Sequence, residues 1–125
     1  MKQKGATLYF AVLIMSILMA AVFSIGTLIL VQIQTIRGMG NSIIAYYTAD
    51  TGAERVLFEL YSGVILDHYG PVTLDNGGVY EAWVTRPVSG ALISLPEDPD
   101  CTAQYYCIKS VGTYNNTRRA VEVSG

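Results

Sequence analysis

The stretch Ala6–Val31, ATLYFAVLIMSILMAAVFSIGTLILV, decides the architecture of this chain. It carries no charged side chain, and 21 of its 26 residues are hydrophobic. At a rise of about 1.5 Å per residue, a helix of this length reaches about 39 Å, against a bilayer hydrocarbon core of about 30 Å. It therefore suffices to span a membrane with some tilt. Lys2 and Lys4 precede the run, and nothing charged follows until Arg37. A short basic leader places that end in the cytoplasm and the 94 residues after the run outside. A secretory signal has a shorter apolar stretch, of about 7–15 residues, closed by a small-residue cleavage site. Here Ala20-Ala21 is followed by more apolar sequence. A plain, unprocessed anchor is the simplest alternative.

The same run explains the composition. The 125 residues are 51% hydrophobic and 14% charged, with a mean hydropathy of +0.36. Soluble domains are about 25% charged. Outside the run, Gln32–Gly125 holds 16 charged residues in 94, close to an ordinary small domain. A wholly soluble protein, a disordered chain and a multi-pass transporter are excluded, and there is room for one small folded domain.

The helical pattern continues beyond the apolar run. No proline occurs from Gln32 to Tyr61, and Ala45, Ala49, Ala53, Val56, Leu57 and Leu60 recur at spacings of three and four, one face of a helix. Ser62-Gly63 is a stop signal. One helix over residues 6–61 is expected, about 84 Å long, with Gly26, Gly38 and Gly40 as its weak points. Residues 6–31 form the membrane half, and residues 32–61 pack on a domain formed by residues 62–125. Arg55 and Glu59, four apart, make an exposed pair, whereas Asp50 and Glu54 repel slightly.

The remainder reads as strands. Pro71–Leu74 and Val79–Arg86 flank Asp75-Asn76-Gly77-Gly78 as a hairpin, and Pro87 ends the second strand. Ala91–Leu95 is a short strand or loop, and Pro96–Asp100 is a polar loop. Tyr105–Tyr114 and Arg118–Ser124 flank Asn115-Asn116-Thr117 as a second hairpin. A three- or four-stranded antiparallel sheet results. Its covered face needs a partner, and the apolar face of residues 32–61 supplies it. The fold class is α+β. Cys101 and Cys107 lack the further His or Cys ligands of a zinc site. In an exported domain an even cysteine count points to a disulfide, the alternative being two unpaired thiols.

The start of the chain, Met1-Lys2-Gln3-Lys4-Gly5-Ala6-Thr7-Leu8, resembles the class III signal of type IV pilins and pseudopilins. A short basic leader ends in glycine, and an apolar helix follows at once. The resemblance implies a pilin-like lollipop architecture and cleavage by prepilin peptidase between Gly5 and Ala6, with methylation of Ala6. Residues 1–5 are then the leader, and the formal charge moves from −2 to −4. The stretch Asn41–Leu57 is similar to the post-membrane helix of PilX-type minor pilins, with Tyr47, Ala49, Asp50, Gly52 and Glu54 at the matching positions. Ile108–Tyr114 with Arg118–Val123 resembles their final hairpin. Residues 63–103 match no pattern of that family.

One position departs from it. Most pilins carry glutamate at mature position five, thought to pair with a neighbouring subunit's N-terminal amine; here that position is Phe10. A buried amine without a partner is costly, which argues against a repeating shaft subunit. K-type minor pseudopilins lack the same acid and are assigned to filament tips. The resemblance therefore implies a minor subunit at a tip, with other pilins, the assembly machinery and prepilin peptidase as partners. It also implies a single-pass inner-membrane state, N-terminus cytoplasmic and domain extracytoplasmic, before incorporation into an extracellular filament. The alternative is that Phe10 is one more lipid-facing residue of a helix that never enters a filament. Tyr9 or Thr7 offers a weaker hydrogen bond that keeps a shaft role open. Thr7, Ser16, Ser24, Gly26 and Thr27 are small or hydroxylated positions that permit close helix approach.

Other chemistries lack an inventory. His68 is the only histidine, and a set with Asp67 and Ser62 has no supporting geometry, so no enzyme and no cofactor is expected. Glu97, Asp98 and Asp100 are weak calcium candidates, since calcium prefers several oxygen ligands; a solvated acidic loop is the simpler reading. Arg118-Arg119 beside Tyr114 is the only basic-aromatic cluster in an acidic domain, so a nucleic-acid partner is not expected. Asn115-Asn116-Thr117 fits a glycosylation pattern but is better explained as a turn. The competing class is an unprocessed bitopic protein with a small extracellular adaptor or binding domain.

Overall fold

The computed structural model describes residues 4–90 and 92–125. Helix α1 spans Lys4–Tyr61, and strands β1 (His68–Thr73), β2 (Val79–Thr85), β3 (Cys107–Tyr114) and β4 (Thr117–Ser124) follow. The expectation of one unbroken helix holds, including at Gly26, Gly38 and Gly40, where nothing lies close enough to meet an added Cβ. Contacts within the chain nevertheless divide it at Gly38, into residues 1–37 and 38–125.

The described part of the first unit is helix throughout, and the side chains of residues 5–37 are all exposed. This helix is long and apolar enough to cross a membrane, and its most apolar window has a mean hydropathy of 2.5 with none of it buried. Four of its hydroxyls bond to its own backbone. Ser16 donates to the Leu13 carbonyl, Ser24 to Ala20, Thr27 to Ser24 and Thr35 to Val31, at 2.8–3.0 Å. These donors are therefore satisfied without water, as a hydrocarbon environment requires.

In the second unit the helix ends at a Schellman motif. The amide of Val64 donates to the Glu59 carbonyl and that of Gly63 to Leu60, with Gly63 at φ 87°. The four strands form an antiparallel meander in the order β1-β2-β3-β4. The β3–β4 turn uses two residues, Asn115 and Asn116, both at positive φ, the backbone of a type I′ hairpin. Thr117 already belongs to β4, so the turn is one residue shorter than the sequence suggests. Strand β1 begins earlier than expected, at His68, because the pairing with β2 continues across an irregularity between Tyr69 and Val72. Pro71 sits at this break on an edge strand, where a missing N–H is tolerated. Ala91 lies outside the described residues; Leu92–Leu95 is a turn rather than a strand, closed by the Leu95 amide on the Leu92 carbonyl.

Alternation along the strands separates two faces. Tyr80, Ala82 and Val84 on β2 and Ile108, Ser110 and Gly112 on β3 are buried against the helix. The core joins Val56 to Ala82, Val84, Leu95 and Ile108, with Leu57, Tyr69, Leu92, Tyr106 and Val123 packed around it. Ala45, Ala49 and Ala53 are buried as the periodicity implied, but Leu57 and Leu60 are only half-buried. Thr48 and Gly52 complete the buried stripe instead. The seam is built from small residues. A Cβ on Gly112 would run into the backbone of Ala45 and Ala49, and one on Gly52 would meet Ser110 and Tyr80. Helix and strand backbones thus approach as closely as two glycines allow. The Ser110 hydroxyl is buried in this seam with no hydrogen-bond partner.

Candidate functional site

The residues expected to carry function fall into separate places. Leader residues Met1, Lys2 and Gln3 lie outside the described residues, as does the side chain of Lys4. Gly5 and Ala6 are in the first turns of α1 and exposed. Phe10 is 61% exposed, and its ring meets Tyr9 edge-on at 6.2 Å.

The helix motif splits in two. Ala49 and Gly52 face the sheet and set the close seam, whereas Tyr47 and Glu54 are exposed and Asp50 is half-buried. Spacing explains this: positions 45, 49, 52, 53 and 56 share one side of the helix, and 47 and 54 lie on another. The small residues of this motif are packing elements. Arg55 and Glu59 form the expected ion pair at 3.5 Å, but at an exposed site it adds little.

Cys101 and Cys107 form a disulfide, with their α-carbons 5.8 Å apart. It ties the loop after β2 to the first residue of β3. Arg86 shapes the start of that loop. Its guanidinium donates to the carbonyls of Leu95 and Pro87 and pairs with Glu97 at 3.2 Å. Its backbone bonds to Pro96 and Asp98 on either side of Glu97. Asp98 accepts from the Asp100 amide at 2.9 Å and from the Thr85 hydroxyl at 3.4 Å. Glu97 and Asp98 are therefore engaged in holding the loop. No group of three or more His, Cys, Asp or Glu able to hold a metal ion occurs among the described residues. The calcium candidates do not converge.

Arg118 and Arg119 are exposed and lie on opposite faces of β4. Arg119 pairs with Gly112 across the ladder and donates to Ser42 on the helix at 2.6 Å, while Arg118 pairs with Thr113. They form no common basic surface. His68 faces Glu81 at 3.6 Å and the Trp83 ring at 5.4 Å between centroids. Tyr106 donates to or accepts from Tyr61 at 3.5 Å, and this hydroxyl contact with some burial pushes its pKa above the usual phenol value.

One concave feature was not anticipated. A cavity of about 410 Å³ lies on the sheet face turned away from the helix, lined by Trp83, Thr85, Asp98, Asp100, Cys107, Lys109 and Glu122. Trp83, Lys109 and Glu122 are direct cross-strand neighbours on β2, β3 and β4. The alternation of β2 already places Trp83 opposite the buried Tyr80, Ala82 and Val84. The registers that align Lys109 and Glu122 with it depend on both hairpins, and the acidic rim depends on the disulfide-bonded loop. No family model, no curated protein and no solved structure matches the chain.

Proposed function

We propose that this chain is a pilin-like structural subunit, minor and placed at the tip, of a type IV pilus or pseudopilus. The observation that carries the reading is the helix α1. Its first half offers a wholly exposed apolar surface, and its second half packs on a small sheet domain without a break in the helix. An apolar helix of this kind has two suitable surroundings, lipid and the helices of other subunits. Moving between them exchanges one set of apolar contacts for another, so extraction into a growing filament needs little net hydrophobic energy.

The leader supplies the second support. In this reading prepilin peptidase removes residues 1–5, Ala6 is methylated, and other pilins and the assembly machinery are the partners. The subunit waits in the inner membrane with its N-terminus cytoplasmic and its sheet domain outside. The Cys101–Cys107 bond suits an oxidising compartment. Phe10 supports a terminal position, because it offers no carboxylate to a neighbouring amine.

Co-expression with a prepilin peptidase tests the processing step. The chain should shorten by the mass of its first five residues, and Gly5→Leu should abolish the shift, because the scissile position then carries a bulky side chain. A full-length chain that persists with active peptidase would favour the unprocessed bitopic reading.

A further inference from the structure

We propose that the outer face of the sheet carries a carbohydrate-binding pocket, which takes one neutral pyranose unit against Trp83 between Asp98, Asp100, Lys109 and Glu122. The cavity's volume, about 410 Å³, falls in the range of small-ligand sites. Its lining joins one large aromatic surface to charged groups of both signs, and that combination selects the ligand.

Each simpler ligand meets an opposing group. A phosphate or carboxylate would face three carboxylates, Asp98, Asp100 and Glu122. A metal ion lacks a converging ligand set among the described residues. An ammonium or guanidinium group would be attracted by the carboxylates and the indole but repelled by Lys109 in the same cavity. A sugar hydroxyl both donates and accepts. It can donate to a carboxylate and accept from the Lys109 ammonium, while the C–H face of the ring covers the apolar indole. Among the described residues no ion pair engages Asp100, Lys109 or Glu122, so these three are available to a ligand.

The scaffold is built on one side from strand pairing and on the other from a tethered loop. Trp83, Lys109 and Glu122 are held in register by β2, β3 and β4. Asp98 is anchored by its amide on the Arg86 carbonyl, and the Cys101 amide on the Asp98 carbonyl folds the rim back toward the disulfide. Cys107 itself lines the cavity. His68 packs on Trp83 from the β1 side and restrains the indole. The proposal does not depend on leader cleavage or filament assembly.

Trp83 is the only tryptophan, so intrinsic fluorescence reports on the pocket directly. The full chain, in a zwitterionic detergent without a sugar headgroup, is titrated separately with glucose, galactose, mannose, N-acetylglucosamine and N-acetylgalactosamine. At least one should give a saturable change with half-saturation at about 1 mM, the affinity expected for a ligand of this size. Asp100→Asn and Glu122→Gln should each weaken it about tenfold, the loss of a hydrogen bond to a charged group, with the far-UV circular dichroism unchanged. The proposal is overturned if no sugar saturates the signal by about 100 mM, a hundred times that value. It is also overturned if N-acetyl-lysine amide or inorganic phosphate saturates it while the sugars do not, or if both folded variants bind as the parent does.

Discussion

Gly112→Val is expected to abolish the native packing of residues 38–125. Gly112 is buried on β3, where an added Cβ would collide with the Ala45 carbonyl and the Ala49 amide of the helix. Both obstacles are backbone, so no rotamer change can relieve the clash. The helix and the sheet must separate, and with them the contacts of Val56 with Ala82, Val84 and Ile108. Small domains hold a net stability of only about 5–15 kcal/mol, and overpacking against rigid backbone exceeds the usual range of about 1–3 kcal/mol. Thermal unfolding followed by Trp83 fluorescence should show no cooperative transition in this variant. Gly40→Ala is the matched control. Nothing lies within reach of its Cβ, and in an exposed helix interior alanine is favoured over glycine by about 1 kcal/mol. If Gly112→Val melted like the parent, the close seam between helix and β3 would be wrong.

Ile108→Ala should be the largest loss among aliphatic core truncations, because Ile108 is the largest fully buried aliphatic side chain. Ile108 is fully buried and sits between the helix residue Val56 and Ala82, Val84 and Leu95. Truncations of this kind cost about 2–5 kcal/mol, and the upper part of that range applies where surroundings cannot collapse. The seam is held by two backbones at closest approach and by a sheet of fixed register, so little collapse is available. A loss of about 3 kcal/mol corresponds to a fall of about 12–24 °C in Tm for a domain of this size. Ile93→Ala, at a side chain 84% exposed, should change stability by less than about 0.5 kcal/mol. Equal effects at the two positions would contradict the placement of the core.

What the sequence made legible follows from periodicity. The charge-free run, the spacing of Ala45, Ala49, Ala53 and Val56, and the asparagine turn each express a local rule, and each appears in the structure. The disulfide was legible from cysteine number and the inferred compartment. Thr48 and Gly52 were missed as seam residues because their identities do not signal burial, although their positions lie on the apolar side. The path of residues 86–90 and 92–106 was not legible either. It is set by hydrogen bonds from one arginine side chain to Leu95, Pro87 and Glu97, contacts that leave no periodic trace. The same is true of the outer pocket, which exists only once two hairpin registers and one loop are fixed.

The chemistry of the amino terminus stands differently. Gly5 and Ala6 are exposed helix residues with no packing role, and their part in the proposed cleavage rests on the leader pattern alone. Phe10 likewise has no contact that assigns it to a tip; among the described residues its ring meets only that of Tyr9, and the tip proposal rests on the residue type at that position. The two halves of the helix therefore carry different kinds of information. Residues 41–61 carry the side chains that pack on the sheet, whereas residues 5–37 are exposed throughout and apolar enough to cross a membrane.

The most direct test of the central claim is mass spectrometry of the chain recovered from filaments sheared from the cell surface. A pilin-like subunit should be present in that fraction with Ala6 as its first residue, carrying one N-methyl group. A chain absent from the filaments and found only in the membrane fraction, starting at Met1 or Lys2, would contradict the account.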